Sequence, residues 1–370
     1  MNSISKRLMN RRKKIIFMPE DEILAHAGRM VTVAKILKEK FNGDIIFGGG
    51  GRYYDLFSQA GFESYCITGS FRKVIESFFT GNWSVFKLPT YKKELFRIYR
   101  QLIHQELELY RSTKPDLVVC DARPSAAIAA EIYGLPLIWI VNIGGLSHSS
   151  IKRVFPRTSP LFTKFPWLRV INRLPPHLRD LLFPDYFFIL GCFLWVKFHN
   201  QLRDSFGLKR WSNYMDTFKA NQIIMADIET MAPTIDLPDN YHYVGPIVWE
   251  PDLELPKPLK NKKGFIYITM GSTGDPKFFF PLIEAFSNMP EFQVVLTTGR
   301  SIDKRELPPL PKNIQAYDFL PGSQVAKRAR LFICHGGLGT VYQALSQGVP
   351  VIGIPFFPDQ ETMGIGRVEA

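Results

Sequence analysis

The apolar positions of the first 142 residues fall in short runs separated by stretches of helical spacing. In order they read KIIFM, GRMVTVAKILKEKF, DIIF, RYYDLFSQAG, SYCIT, a long helical stretch from Tyr91 to Arg111, DLVVCD, SAAIAAEIYG and PLIWIVN. Short continuous apolar runs mark strands buried on both faces, and their alternation with helices predicts a parallel sheet. In the first helical stretch Met30, Val33, Ala34, Leu37 and Phe41 recur at three and four residues, so that side is expected to pack on the sheet. NQIIMAD and YHYVGPI carry this domain to residue 248, and WEPDLELPKPLKNKK (249–263), rich in proline and charge and without a period, reads as a linker. Alternation then restarts with GFIYITM, PKFFFPLIEAFSN, QVVLTTG, IQAYDFL, SQVAKRA, LFICHGG, TVYQALSQG and VPVIGIP, which predicts a second domain over 264–370. The expected architecture is α/β, two doubly wound Rossmann-like domains facing a cleft where ligands sit.

A length of 370 residues with 46% hydrophobic and 22% charged residues supplies two cores and excludes a disordered chain. The four cysteines, Cys66, Cys120, Cys192 and Cys334, are dispersed and have no metal-ligand spacing, so they read as reduced core residues of a cytoplasmic protein. The basic start MNSISKRLMNRRKK is followed by IIFM and then Pro19 and Glu20, without the apolar core of a signal peptide, so no export is expected.

The net charge of +12 is concentrated. Residues 151–215 hold eleven Lys or Arg against three Asp, mixed with Phe155, Phe162, Phe165, Trp167, Phe183, Tyr186, Phe187, Phe188, Phe193, Trp195 and Phe198. This basic aromatic helical insert is either a patch that touches an anionic membrane surface or a solvated basic face. Nucleic acid is not expected, since no recognised binding motif accompanies the charge. The apolar run Tyr186 to Val196 has eleven residues, too few to span a membrane, which takes about 20.

Candidate chemistry is densest in LFICHGGLGTVYQALSQGVPVIGIPFFPDQ, 331–360. A strand ends at Cys334, a turn of His335, Gly336, Gly337, Leu338 and Gly339 follows, and Thr340 opens a helix. Glycines let a backbone approach an anion, and a helix amino end offers unpaired N–H groups, so a diphosphate fits there. His335 and the Thr340 hydroxyl add donors.

HGGLGT, then Gln343, then GVPVIGIP, then Asp359 and Gln360 resembles the donor signature of the UDP-glycosyltransferase family, glycosyltransferase family 1, of GT-B fold. The resemblance implies that His335, Gly337, Gly339 and Thr340 bind a nucleotide diphosphate, and that Asp359 and Gln360 bind hydroxyls of the transferred sugar. MGSTGD (270–275) resembles the family's Gly-Ser loop, which gives Gly271 and Ser272 a place beside the diphosphate and sugar. NIQAYDFLPGSQV resembles the segment beside the nucleotide base, with Phe319 and Leu320 near a uracil. Gln343 stands where the family commonly has a ribose-binding Glu, and Gly322 where a Gln often follows the Pro. Ala370 comes ten residues after Gln360, where the family continues into further helix, so the donor domain reads as incomplete.

On the acceptor side AHAGRM places His26 in the loop before the first helix, and resembles the family segment that carries the catalytic histidine. Asp121, ending DLVVCD, matches the family's Asp that orients it. An Asp–His pair activates a hydroxyl when the carboxylate fixes the imidazole and the imidazole takes the proton. A satisfied surface His26 and an Asp121 that caps the next helix are the plainer readings of the same residues. Glu20, Asp21 and Glu22 are alternative bases, or a solvated acidic turn. The run Gly48 to Gly51 has no assigned role, and Gly145 to Ser149, with His148, are candidate acceptor contacts. Neither a DxD motif nor a histidine pair suggests a metal, and no cofactor is expected, the nucleotide-sugar being a substrate.

These features predict an inverting, metal-independent glycosyltransferase moving a hexose from a UDP-linked donor to a hydroxyl of a lipophilic small molecule or lipid. A non-catalytic nucleotide-sugar-binding protein or an inactive truncated homologue is the alternative from another class.

Overall fold

The structure is a computed structural model and describes residues 12–68, 88–150, 173–175, 178, 186–299, 301–356 and 360. The described residues form two compact units. One comprises the chain up to Ser149 with Phe187–Glu229 and Pro233–Ile247; the other comprises the described residues between Ser150 and Tyr186, Thr230–Ala232 and the chain from Val248.

The first unit runs β1 (Lys14–Pro19), α1 (Leu24–Lys40), β2 (Asp44–Gly49), α2 (Asp55–Gln59), β3 (Glu63–Cys66), α3 (Leu88–Thr113), β4 (Leu117–Asp121), α4 (Pro124–Tyr133), β5 (Leu137–Val141), α5 (Tyr186–Ser205), β6 (Gln222–Met225) and β7 (Tyr241–Tyr243). Its strands lie in the order β3-β2-β1-β4-β5-β6-β7, and every pairing is parallel. The winding reverses between β1 and β4. In open sheets of this kind the loops that leave two such strands diverge, and a ligand crevice opens at their carboxyl ends.

The buried stripe of α1 is Ala27, Gly28, Arg29, Met30, Val31 and Ala34, whereas Val33, Leu37 and Phe41 are half-buried. The apolar spacing found the right helix and a face rotated toward its amino end. Arg29 is buried on that face, ion-paired with Asp121.

The second unit continues with α6 (Lys257–Lys260), β8 (Phe265–Thr269), α7 (Phe279–Ser287), β9 (Val294–Thr297), β10 (Ile314–Tyr317), α8 (Gly322–Ala326), β11 (Ala329–Cys334), α9 (Leu338–Leu345) and β12 (Val351–Gly353). Its parallel sheet has the order β10-β9-β8-β11-β12 and reverses between β8 and β11. The segment read as a linker is not loose. Leu255 and Leu259 are buried with Phe265, Val295, Phe332 and Ala344, and the Glu250 carboxylate accepts from the Ser323 N–H at the start of α8. Apolar burial fastened two leucines that have no partner in local sequence.

The cysteine expectation needs correction. Cys120 and Cys334 are core residues, but Cys66 is exposed at the end of β3 and Cys192 is only half-buried. The apolar run around Cys66 ends a marginal strand whose burial pattern alternates poorly.

Of the basic insert, α5 lies mostly within the described residues, while Lys152, Arg153, Arg157, Lys164 and most of the aromatics before Tyr186 lie outside them. No described helix is long and apolar enough to cross a membrane. The carboxyl half of α5 is pinned to the first unit by His199, whose ring lies between Trp195 and Trp211 at centroid distances of 4.1 and 5.2 Å. Its Nδ1 bonds the Trp195 carbonyl at 2.9 Å, and its buried Nε2 has no partner among the described residues. Burial first, with the Arg203 charge adding to it against the carbonyl bond, pushes its pKa down to about 4. An unfolded histidine takes its proton near 6.5, so the unfolded chain binds more protons as pH falls, and stability is lost from about 6.5 down to about 4. At pH 5 the loss from His199 is about 2 kcal/mol. In urea melts at pH 7 and pH 5, His199→Phe is expected to shrink the acid-induced drop by about that amount. An unchanged drop removes His199 as its source.

Candidate active site

Two groups of side chains gather where the two sheets reverse their winding. In the first unit, β1 and β4 are neighbours with Pro19 opposite Asp121, and the Glu20 N–H donates to the Asp121 carbonyl at 2.8 Å. Asp121 therefore ends its strand directly beside the loop that leads into α1. The helix starts at Leu24, so His26 sits in its first turn and not in the preceding loop as the sequence suggested. Ala122 follows in the left-handed region at φ 51°, a conformation that costs a non-glycine residue about 1 kcal/mol and turns the chain sharply away from Asp121. Asp121 does not cap α4, whose N-cap is Arg123 without a side-chain bond.

His26 Nδ1 and Asp121 Oδ1 are 2.8 Å apart. Arg29, one turn further along α1, forks onto the same carboxylate: Nε donates to Oδ2 at 2.7 Å and Nη2 to Oδ1 at 2.8 Å. The Asp121 side chain is 1% exposed, that of Arg29 7%, and that of His26 24%. Burial alone would raise the Asp121 pKa, but the Arg29 guanidinium, and then the His26 ring with the bonds from both, hold it below the usual carboxylate range. An ionised carboxylate only accepts, so the proton lies on His26 Nδ1 and Nε2 is left as the basic nitrogen. The network continues through Arg29 Nη1 to Asn142 Oδ1 at 2.5 Å, and through Asn142 Nδ2 to Asp227 Oδ1 at 3.1 Å. Sequence reading missed Arg29 and Asn142. The signal was the position of Arg29 three residues after His26, one helical turn away.

The acidic turn is not solvated. Asp21 and Glu22 are buried. Asp21 Oδ2 accepts from the Gly50 and Gly51 N–H groups at 2.7 and 2.8 Å, which gives the glycine run after β2 a structural task. A Cβ on Gly51 would stand 2.7 Å from the Asp21 carbonyl, so the close wrap excludes a side chain. Arg123 bonds the buried Glu106 at 2.7 Å and lies 3.5 Å from Asp21. Burial raises the Glu20 pKa to about 8 against the charge of Arg123, so its carboxyl is largely uncharged near neutral pH. In the segment after β5, Ser149 bridges Thr234, and the His148 ring meets Tyr241 at 5.5 Å.

In the second unit the loops after β8 and β11 close on one ring. His335 is 6% exposed, and Gly271 and Gly337 both lie against the Cε1–Nε2 part of its ring. A Cβ on Gly271 would overlap His335 Cε1, and one on Gly337 would overlap Nε2. Gly271 also has φ +56°, so both its backbone and its neighbour demand glycine. Burial pushes the His335 pKa down to about 4, so near neutral pH the ring is uncharged and offers one N–H donor. His335 therefore brings no positive charge to a leaving group. Its Nδ1 is buried without a hydrogen-bond partner among the described residues.

Helix α9 starts at Leu338 with Gly337 as N-cap, two residues before the expected opening at Thr340. The Thr340 N–H is bonded to the Gly337 carbonyl at 3.0 Å, so among the described residues the amides of this helix head without a backbone partner are those of Leu338 and Gly339. A Cβ on Gly339 would meet nothing within 4 Å. Gln360 is buried; its Oε1 accepts from the Phe356 N–H at 2.8 Å and its Nε2 lies 3.2 Å from Thr273 Oγ1, in the loop that holds Gly271 and Ser272. Asp359 lies outside the described residues.

Leu320 is buried in the core of this unit with Val325 and Ala344, leaving half-buried Phe319 as the more accessible of the pair. Gly322 and Gln343 are in contact: a Cβ at 322 would overlap Gln343 Nε2. The two departures from the family pattern are thus one arrangement, in which a missing side chain on α8 makes room for the amide on α9. Among the described residues no group of three His, Cys, Asp or Glu could hold a metal ion.

The sequence profile described as UDP-glucoronosyl and UDP-glucosyl transferase matches residues 284–370. The chain is 30% identical over 359 residues to the PGL/p-HBAD biosynthesis glycosyltransferase of Mycobacterium tuberculosis (strain ATCC 25177 / H37Ra), covering 95% of this chain and 77% of the relative. It is also 30% identical over 356 residues to the PGL/p-HBAD biosynthesis rhamnosyltransferase of Mycobacterium bovis (strain BCG / Pasteur 1173P2), with 95% and 74% covered. Among solved structures it resembles CalG4, the calicheamicin glycosyltransferase, with a TM-score of 0.62, 19% identity and coverage of 97% of this chain and 84% of that one. The last likeness establishes the GT-B fold. The two relatives, by their identity and extent, make this chain a member of the UDP-glycosyltransferase family, and a glycosyltransferase.

Proposed function

We propose that the protein is an inverting, metal-independent glycosyltransferase that moves a hexose from a UDP-linked donor to a hydroxyl of a lipophilic small molecule or lipid. The observation that carries the reading is the 2.8 Å contact between His26 Nδ1 and Asp121 Oδ1 at the reversal of the first sheet. In one step His26 Nε2 takes the acceptor proton and the acceptor oxygen bonds the anomeric carbon. The bond from that carbon to the diphosphate breaks, its electron pair leaving on phosphate oxygen. A single displacement inverts the anomeric centre. The leaving diphosphate is held by the Leu338 and Gly339 amides at the head of α9 and by the His335 ring, with Gly271 and Ser272 beside it and Thr340 adding its hydroxyl. Gln343 and Phe319, with Leu320 behind, hold the nucleoside, and Asp359 with Gln360 hold the sugar hydroxyls.

One relative is named a PGL/p-HBAD biosynthesis rhamnosyltransferase, which supports a sugar of the hexose class. The test is incubation with UDP-glucose or dTDP-rhamnose and methyl 4-hydroxybenzoate or a long-chain alcohol, with and without EDTA. A glycosylated product of inverted anomeric configuration, formed at the same rate in EDTA, is expected. Calorimetry that detects neither donor binding, or a product of retained configuration, refutes the reading.

We further propose that the enzyme works on the cytoplasmic face of an anionic membrane, touching it through 151–215. In the described part of that segment Ile189, Phe193 and Leu194 are exposed beside Lys197 on α5. Flotation with phosphatidylglycerol vesicles should carry the protein upward, and protein left in the soluble fraction removes this element.

A further inference from the structure

The reading of His26 as base leaves Arg29 unexplained. A surface helix rarely buries an arginine, and one that does needs its charge and donors matched. Here the match is the carboxylate that backs His26. Asp121 Oδ1 receives both His26 Nδ1 at 2.8 Å and Arg29 Nη2 at 2.8 Å, which leaves Nη2 and Nδ1 only 3.3 Å apart. Both atoms carry hydrogens aimed at the same oxygen, so they do not bond each other. A proton added to His26 would place a second positive charge against a fixed one, and the Asp121 charge that would stabilise it is already shared.

We propose that Arg29 is a positioning residue for His26: forked on Asp121 and braced by Asn142, it keeps the imidazole oriented and in its uncharged, proton-accepting form. This rests on the reading of His26 as the base. The bracing is direct, since Arg29 Nη1 reaches Asn142 Oδ1, and Asn142 Nδ2 reaches Asp227, whose other oxygen accepts from the Ile143 N–H at 2.7 Å. Four elements, α1, β4 and the ends of β5 and β6, hold one guanidinium in place. Other ionisable groups near this edge are Glu20, Asp21 and Glu22 on the loop after β1 and Arg123 after β4. Asp21 is matched by two glycine N–H groups, and Arg123 by Glu106. The one arginine in contact with the His26–Asp121 pair among the described residues is Arg29.

The experiment needs no acceptor. The chain has seven histidines, so imidazole resonances can be followed by NMR through a pH titration and His26 assigned by its absence in His26→Asn. In Arg29→Met the His26 titration midpoint is expected to rise by about one pH unit or more, because an uncompensated Asp121 then favours the imidazolium. Arg29→Lys, which keeps the charge and loses the fork, should leave the midpoint near that of the unaltered protein while lowering the melting temperature. A midpoint in Arg29→Met that stays or falls overturns the proposal. If Arg29→Met does not fold, Arg29→Gln in the same titration decides it. Transfer by His26→Ala at the full rate would sink the base reading instead, and would leave the titration result on Arg29 standing.

Discussion

Replacing His26 by alanine is expected to lower the rate of sugar transfer by about 10³-fold, within the range that a positioned general base contributes. Donor binding should be unchanged, because the residues proposed to hold the nucleotide belong to the second unit. The side chain is partly exposed and its one bond is to Asp121, which keeps both Arg29 bonds after the change, so the fold should survive. This makes His26→Ala a cleaner probe than Asp121→Asn. The latter strands a buried guanidinium, and breaking one partner of a buried pair costs about 3–5 kcal/mol. Product formation by radiolabelled donor transfer, alongside calorimetric titration with the same donor, checks the claim. Transfer within tenfold of the unaltered rate would falsify the assignment of His26 as base.

Gly271→Ala is expected to damage donor binding and folding together. The left-handed backbone at φ +56° costs a side chain about 1–2 kcal/mol, and the new methyl overlaps the buried His335 ring at Cε1. His335 must shift, and with it the ring proposed to donate to the diphosphate, so donor affinity should fall at least about tenfold, the equivalent of one lost hydrogen bond to a charged group. Gly339→Ala is the matched control. A Cβ there meets nothing within 4 Å, so stability should hold while a methyl enters the space proposed for the diphosphate. Melting temperature and calorimetric affinity, measured on both variants, separate the two effects. Normal donor binding by the Gly271→Ala variant would show that the ring is not part of the donor site.

The strands and the two reversals were legible because parallel sheets are written as unbroken apolar runs, and such runs depend on little beyond themselves. His26 and Asp121 were legible as a pair through a family pattern, and the geometry then joined them. Arg29 was not, since an arginine on a helix reads as solvated until the partner that buries it, 92 residues later, is brought beside it. The acidic turn failed for the same reason: Asp21 is matched by amides of Gly50 and Gly51, a long-range closure that local polarity does not encode. Leu255 and Leu259 were hidden by the prolines and lysines around them. The helix head at Leu338 was misplaced by two residues because glycines blur the onset of a helix.

The contact between Gly322 and Gln343 ties together two positions on different helices. A side chain added at 322 would meet the amide end of Gln343, a flexible group that can swing aside, so when relatives are compared the two positions are expected to change together, with the longer group at 343 turned elsewhere wherever 322 carries a side chain.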